Sequence, residues 1–364
     1  MPQTRPPLHW LQALRGLAAL MIVLVHSRDT WMALGPGGAS IANAMLPLAM
    51  GVDLFFLISG FLMVLTTREA MLGIRGARDF LARRFARIGP LFAIMSVLDL
   101  LVEHGWRALG QPSIVGVYLE GLLFMPHDPQ ASPLYFHMAM GVSWTLCFES
   151  YFYVMFAASM GLGRFRYAAL MAWFASTLVL WPLWVGHFTL DPRAAFMGDV
   201  RYLALVNNPI VWDFMLGMLA GALYSMTWRP HAATVLLGVL VVLVWLALHW
   251  RALGLIDFHG PAGWGLPMAI IFLAVCMLDR HAHGAWPAFA IGLGDLSYAL
   301  YLVHVPVFIL VGDSIQAWSL ENSPAAIMLL AIRPLLAIGI AVMVHRYLEK
   351  PVLLAMRRRL SVSS

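Results

Sequence analysis

The chain has 364 residues and a formal net charge of +5; 61% of its residues are apolar and only 11% are charged. A typical soluble domain has about 25% charged residues, and a soluble fold of this size cannot bury so many apolar side chains. This composition excludes a disordered chain and an ordinary soluble enzyme. We therefore expect a membrane protein with a single domain over residues 1–364 and a core of about 11–351.

Ten segments approach the roughly 20 mostly apolar residues that a helix needs to cross a bilayer. In chain order they are 11–31, 46–66, 88–102, 141–162, 167–186, 209–228, 232–250, 264–278, 289–311 and 325–347. A further run, 114–125, is shorter and contains Glu120, so we expect it to be re-entrant or to lie at the membrane surface. The predicted fold is all-α, a bundle of about ten transmembrane helices.

The distribution of arginine predicts which side of the membrane the termini occupy. Ten spans put both termini on one side, and the loop after the second span contains Arg68, Arg75, Arg78, Arg83, Arg84 and Arg87. The same face also collects Arg5, Arg164, Arg166, Arg229, Arg280, Lys350, Arg357, Arg358 and Arg359. Because cytoplasmic loops are rich in Lys and Arg, both termini are predicted to be cytoplasmic.

Two ionisable residues lie within the first predicted span. Arg15 and His26 are eleven residues apart, which at about 100° per residue brings them to the same face of a helix. Their separation along the axis is about 16.5 Å, so we expect Arg15 at the cytoplasmic mouth and His26 well inside the span. Ionisable residues inside spans are functional candidates, but an arginine that reaches the interface and a buried structural histidine would give the same pattern.

Acidic residues form the second set of candidates. Asp53 opens the second predicted span and needs a polar partner, for which His26 or an arginine is suited; alternatively it only holds two helices together. Glu149 lies within the fourth predicted span among aromatic residues. Asp99 and Asp213 are weaker candidates, because each could lie near a helix end.

The arginines of the stretch RDFLARRFARIGP have two interpretations. Arg83, Arg84 and Arg87 cluster where the third predicted helix enters the membrane, and such a cluster can serve only to orient the protein. Arginine also offers planar, paired donors to phosphate oxygens, so the same cluster would suit a phosphate-containing ligand. Composition does not separate the two.

Taken together, these stretches resemble the acyltransferase-3 family of integral-membrane acyltransferases. The matching pieces, in this order, are the Arg15-to-His26 pattern, GVDLFFLISGFL, FLARRFARIGPL, SWTLCFESYFY and GDLSYALYLVHVPV. The resemblance runs from about Leu11 to Pro351, and the combination is far more specific than any single piece.

The resemblance implies a bundle that takes an acyl group, usually acetyl, from cytoplasmic acyl-CoA and passes it to a hydroxyl of a carbohydrate or lipid-linked glycan. It implies that Arg15 and His26 are essential and that Arg84 and Arg87, with Arg83 adjacent, bind CoA. The stretch WTLCFES has Ser150 where the family has a second glutamate, so only Glu149 is carried over. We expect acetyl-CoA as co-substrate, a location in a bacterial inner membrane among its lipids, and neither a metal ion nor a nucleic acid as ligand.

These observations predict a mechanism in which Arg15, Arg83, Arg84 and Arg87 hold the donor and a neutral His26 accepts the proton of the acceptor hydroxyl. Asp53 or Glu149 would orient the imidazole ring. A covalent acyl-histidine route remains open. The alternative function is a transporter or flippase for a glycolipid, with Arg15, His26 and Asp53 as a polar relay; the absence of internal repeats in the sequence counts against it.

Overall fold

The computed structural model describes residues 8–32, 35–68, 70–128, 138–194, 201–226, 231–252, 258–279, 286–317 and 323–362. The described residues fold into helices, as predicted. The α-helices are α1 (His9–His26), α2 (Arg28–Met32), α3 (Gly35–Ala44), α4 (Gly51–Thr67), α5 (Gly73–His104), α6 (Pro112–Leu122), α7 (Trp144–Gly161), α8 (Arg166–Ala175), α9 (Trp181–Trp184), α10 (Leu203–Val206), α11 (Val211–Ser225), α12 (Ala232–Ala252), α13 (Gly265–Asp279), α14 (Ala288–Asp295), α15 (Ser297–Ala317), α16 (Pro324–Val344) and α17 (Lys350–Val362).

Six helical stretches of the described chain are long and apolar enough to cross a membrane. They are His9–Met32, Pro36–Thr67, Gly73–His104, Gly163–Trp184, Ser297–Ile315 and Pro324–Met356. Shorter apolar helices occupy Val211–Ser225, Thr234–Leu246 and Gly265–Asp279. Eight of the ten predicted spans overlap one of these helices; the exceptions are 141–162, where α7 lies, and 289–311, which two helices share. The protein is thus an all-α protein with several membrane-spanning candidates.

The arginine cluster does not lie in a loop, and this part of the prediction is wrong. α5 begins at Gly73 and runs without interruption to His104, so Arg75, Arg78, Arg83, Arg84 and Arg87 all lie on its first half. Arginine, alanine and leucine are strong helix formers. The polar segment therefore continues the apolar helix, and Pro90 lies inside it.

The predicted span 289–311 is also not one helix. α14 ends at Asp295 and α15 starts at Ser297, with Leu296 as the single residue between the two helices. Hydrophobicity continues through this point, so the apolar pattern does not reveal the break. The one local signal is the Gly294–Asp295 pair, since Gly and Asp favour turns.

The chain divides into two compact units, and each is described by itself. Unit 1 consists of Met1–Leu65, Asp213–Asp257 and Gly263–Tyr298, and unit 2 of Thr66–Trp212, Phe258–Ala262 and Ala299–Ser364. The expectation of a single membrane domain stays a prediction.

An aromatic cluster forms the centre of unit 1. The ring of Phe61 packs edge-on against Trp10 and Phe272, with both pairs of ring centroids 5.4 Å apart. All three side chains are buried. Such edge-to-face pairs are favourable beyond the area they bury and fix the helices in one arrangement.

Glycines let α4 and α11 approach each other closely in unit 1. A Cβ atom on Gly217 would overlap the carbonyl oxygen of Leu57, and one on Gly221 would lie 3.0 Å from the carbonyl oxygen of Phe61. The second contact lies one turn further along both helices than the first, so α4 and α11 run parallel. Small residues at close helix crossings are typical of membrane proteins.

Unit 2 is also built on aromatic packing. The rings of Phe152 on α7 and Phe174 on α8 stack with centroids 5.8 Å apart. The Tyr301 hydroxyl donates to the carbonyl of Val142 at 2.9 Å and lies 2.7 Å from the Thr145 hydroxyl, which ties α15 to the start of α7. These contacts fix α7, which carries Glu149.

Large apolar side chains cover the outside of several helices. On α16 they include Met328, Leu335 and Met343, and on α12 they include Leu236, Leu240 and Val244, all of them exposed. Water would not stabilise such a surface, whereas the hydrocarbon of a bilayer does.

The short helix α6 is fixed by an ion-pair network outside the long spans. The Glu120 carboxylate accepts from Arg201 at 2.5 Å and lies 2.6 Å from Nδ1 of His127. Burial alone would raise the pKa of the Glu120 carboxyl, but the hydrogen bonds and charges of Arg201 and His127 lower it below its usual value. The run 114–125 thus contains a short helix, in keeping with the expectation that it does not span the membrane.

Candidate active site

Arg15 lies in unit 1 and bridges two helices. Its guanidinium donates to Oε1 of Gln12, one turn earlier on α1, and to the hydroxyl of Ser297, both at 3.0 Å. Ser297 is completely buried at the start of α15. Beside this bridge, a Cβ atom on Gly294 would overlap the carbonyl oxygen of Gln12, so only glycine permits this approach of α14 to α1. The half-buried Arg15 is therefore held by its planar fork.

His26 is the last residue of α1, and its side chain is exposed on the protein surface. The described part of unit 1 therefore does not enclose the ring, and the depth of His26 in the first span stays a prediction. A ring nitrogen bonds to the backbone carbonyl of Ile22, and the carboxylate of Asp29 acts on the ring electrostatically. Because a carbonyl only accepts, the neutral ring keeps its hydrogen on that nitrogen and presents the other as an acceptor.

Asp53 is in the first turn of α4, where the sequence placed it, and its side chain has no exposed surface. Its acidic neighbour is Asp213, equally buried in the first turn of the parallel helix α11, and the two carboxyl groups interact electrostatically. The sequence ranked Asp213 as a weak candidate. Two adjacent buried carboxyl groups cannot both be ionised without a large cost.

Glu149 lies on α7 in unit 2 and is half-buried. The hydroxyl of Tyr153, one turn later on the same helix, donates a hydrogen bond to Oε1 of Glu149. Tyr153 itself is buried.

Arg84 reaches the same cluster from α5. Its guanidinium carbon lies 5.3 Å from the ring centre of Phe80 and 5.5 Å from that of Tyr153. Its Nη2 donates to the Thr66 hydroxyl at 3.1 Å, and the guanidinium also interacts electrostatically with Glu149. The structure thus brings together two predicted site residues, Arg84 and Glu149, with Tyr153 between them.

The other two arginines of the cluster lie close by along α5. Arg83 is exposed, and Arg87 is half-buried. Arg87 lines a narrow cleft together with Pro90, Leu348 and Glu349. The Glu349 carboxylate in that cleft is 2.8 Å from Nδ1 of His345.

The predicted site residues therefore fall into two groups. Arg15, His26 and Asp53 belong to unit 1, whereas Arg83, Arg84, Arg87 and Glu149 belong to unit 2.

The sequence missed Asp29, Asp213 and Tyr153 as partners. Asp29 and Tyr153 had a signal, since they follow His26 and Glu149 by three and four residues, the spacings at which helical side chains meet. Within the described ranges, no group of His, Cys, Asp and Glu is arranged to hold a metal ion.

A protein-family model described as an acyltransferase domain matches residues 8–344. The chain belongs to the acyltransferase-3 family. It is therefore an acyltransferase, an enzyme that transfers an acyl group from a donor. This family membership argues against the alternative of a transporter or flippase. The first-span, arginine and Glu149 motifs all lie within the matched residues.

Three proteins of known assignment resemble this acyltransferase over most of their length. The exopolysaccharide production protein ExoZ of Rhizobium meliloti (strain 1021) is 28% identical over 324 residues, which cover 85% of this chain and 91% of that protein. Nodulation protein 10 of Rhizobium leguminosarum bv. viciae is 26% identical, with 81% of each chain covered. The acyltransferase MdmB of Streptomyces mycarofaciens is 24% identical, with 100% of this chain and 96% of that protein covered. No solved structure matches the chain.

Proposed function

We propose that the protein is a membrane O-acyltransferase that moves an acyl group, acetyl in the first instance, from cytoplasmic acyl-CoA to a hydroxyl of a carbohydrate or lipid-linked glycan. The observation that carries this proposal is the family match over residues 8–344. The polysaccharide type of acceptor is supported by the similarity to an exopolysaccharide production protein.

The arginine-rich half of α5 is evidence for a donor that carries phosphate groups. Arg83, Arg84 and Arg87 lie within little more than one turn of this helix, and guanidinium groups bind phosphate oxygens through paired, charge-assisted hydrogen bonds. CoA carries several phosphates that cannot enter hydrocarbon, so its nucleotide stays at the membrane surface. We assign these three arginines, with Arg15, to holding the donor.

The proposed chemical step uses His26 as a general base. The acceptor hydroxyl oxygen attacks the thioester carbonyl while its proton passes to the neutral imidazole. The carbon–sulfur bond then breaks, and the departing thiolate takes the proton from the imidazolium, which leaves an ester and free CoA. A carboxylate stabilises an imidazolium formed in this way, as in Ser-His-Asp triads, and the electrostatic contact of Asp29 with His26 is suited to this role. For Asp53 and Glu149, a role in orienting the imidazole ring stays a proposal.

The proposed topology is ten membrane spans with both termini in the cytoplasm of a bacterial cell, in the inner membrane. The parallel packing of α4 and α11 agrees with this arrangement, because the proposal makes them the second and the sixth span. Spans separated by three others run in the same direction.

The experiment that tests this function is a comparison of cell-envelope glycans from cells with and without the gene. Mass spectrometry of the glycans should show the loss of one acyl substituent, acetyl in the first instance, and its return when the gene is restored. Glycans of unchanged mass would contradict the proposal, whereas a different lost mass would identify another acyl group. Restoring the gene with His26→Ala should leave the mass unchanged from the deletion, since general base catalysis contributes about 10²–10⁴-fold.

A further inference from the structure

The cluster around Glu149 contains one residue that contacts both charged members. The Tyr153 hydroxyl donates to the Glu149 carboxylate, and the face of the Tyr153 ring lies 5.5 Å from the guanidinium carbon of Arg84. The two interactions use different parts of the side chain. They can therefore be removed separately by substitution.

The ring of Tyr153 is held in place from a second side. Phe80, one turn before Arg84 on α5, meets it edge-to-face with centroids 6.1 Å apart and an angle of 87° between the rings. Arg84 also contacts the Phe80 ring, at 5.3 Å. A buried ring packed in this way leaves its hydroxyl little freedom, so the hydrogen bond to Glu149 is directed by the packing.

The chemistry of the cluster suggests what this arrangement does. A carboxylate on a largely apolar helix has several rotamers, and a hydrogen bond to a fixed donor selects one of them. A ring contact uses none of the hydrogen-bond donors of a guanidinium, so Arg84 keeps for a ligand the donors that Thr66 does not occupy. One tyrosine can thus orient the acid through its hydroxyl and support the cation through its ring.

We propose that Tyr153 is a positioning residue that orients Glu149 through its hydroxyl and presents Arg84 to the acyl donor through its ring. This inference rests on the proposed function, in which Arg84 holds acyl-CoA and Glu149 supports acyl transfer. Tyr153 itself touches neither donor nor acceptor in this assignment. Its effect on the reaction passes through its two neighbours.

Two substitutions separate the two contacts. Tyr153→Phe removes the hydroxyl and keeps the ring, so kcat should fall about 10- to 100-fold, the effect of losing one hydrogen bond to a charged group, while KM for acetyl-CoA changes less than about threefold. Tyr153→Leu removes the ring as well and should also raise KM for acetyl-CoA. If Tyr153 had only a structural role, removal of the hydroxyl would not lower kcat while leaving KM for acetyl-CoA nearly unchanged.

The chain offers a matched control on the same helix. Tyr151 also has a hydrogen-bonded hydroxyl, which accepts from Nε1 of Trp173 at 2.9 Å, and it lies two residues from Tyr153 on a different face of α7. Tyr151→Phe should leave both kinetic constants within about twofold of the wild-type values, since a neutral hydrogen bond contributes little in net terms. An equal fall of kcat in Tyr151→Phe and Tyr153→Phe would overturn the proposal.

A second measurement does not depend on enzymatic activity. In a double-mutant cycle on thermal unfolding of the purified full-length protein, Tyr153→Phe and Glu149→Ala should be non-additive, whereas Tyr151→Phe and Glu149→Ala should be additive. Additivity of the first pair would overturn the Tyr153–Glu149 interaction. If the wild-type protein transfers no acyl group from acetyl-CoA, the proposed function fails, and the cycle still decides whether the two side chains are coupled. Wild-type kcat in Tyr153→Phe would overturn the positioning role even if the cycle shows coupling.

Discussion

Asp53 and Asp213 lie side by side, each in the first turn of one of two parallel helices whose backbones meet at glycines. Neither side chain has any exposed surface. Because α4 and α11 keep the same register at Leu57–Gly217 and at Phe61–Gly221, the two acids face each other one turn before the first of these contacts. The glycines that bring the helices together thus also bring the acids together.

We expect Asp213→Asn to raise the stability of the protein. An amide keeps nearly the same shape and hydrogen-bonding capacity but removes one of two neighbouring acids, so about 1 kcal/mol of stabilisation is expected. The measurement is the thermal unfolding midpoint of the purified protein in detergent. Asp213→Ala is the control and should lower the midpoint, because it leaves a cavity. A lower midpoint in Asp213→Asn would show that both acids are needed as carboxyl groups.

The double substitution of Arg84 and Arg87 by alanine should weaken acetyl-CoA binding. Two charge-assisted contacts of roughly 1.5–3 kcal/mol each would be lost, and the fall in affinity can be measured by titration calorimetry. Cysteine labelling of the loops should show the same membrane orientation as in the wild type, because other arginines remain on that face. An inverted protein with normal affinity for acetyl-CoA would show that the cluster serves only to orient the chain.

Arg15→Lys should strongly impair acyl transfer, since lysine keeps the charge but loses the planar fork that reaches Gln12 and Ser297. The measurement is turnover of acetyl-CoA together with the unfolding midpoint. Ser297→Ala is the matched control, because it breaks the bridge to α15 and leaves the guanidinium in place. If Ser297→Ala loses as much turnover as Arg15→Lys, the arginine acts by bridging the helices and not by holding the donor.

The Glu120 network predicts a pH-dependent contribution to stability. The pKa of Glu120 is lowered in the folded protein, so its stabilisation is present above the carboxyl's ordinary pKa of about 4.3 and is lost as the pH falls through the lower folded value. Glu120→Gln should therefore be less stable than the wild type at neutral pH, by about 0.2–1 kcal/mol for a partly exposed network. Unfolding curves of the two proteins should converge in acid. A constant difference at every pH would contradict an ionic origin.

Much of the fold follows from the sequence, because a bilayer demands long apolar helices and these are visible as apolar runs. Features that depend on side-chain contacts do not follow. The helical start of α5 was missed, since a run of arginines is equally compatible with a loop and with a polar helix end. The break at Leu296 was missed because the short polar stretch around it, Asp295 and Ser297, is embedded in a longer apolar run.

The same limit applies to the site. Arg15, His26, Asp53 and Glu149 stand out in the sequence because they are ionisable residues in apolar segments. Their partners depend on how helices distant in the chain pack, as for Asp213 beside Asp53 and Ser297 beside Arg15. The exposure of the His26 ring also depends on packing, which hydrophobicity does not show, since the apolar stretch continues past it to Met32.

The most direct test of the proposed function is transfer of a labelled acetyl group from acetyl-CoA by the purified protein in liposomes that contain a lipid-linked glycan. The wild type should release free CoA and acetylate the glycan in equal amounts. His26→Ala should lose about 10²–10⁴-fold of this rate with normal acetyl-CoA binding, and His9→Ala, at the exposed start of the same helix, should keep it. Acetylation by His26→Ala within threefold of the wild-type rate, or no label in the glycan with the wild type, would contradict the account.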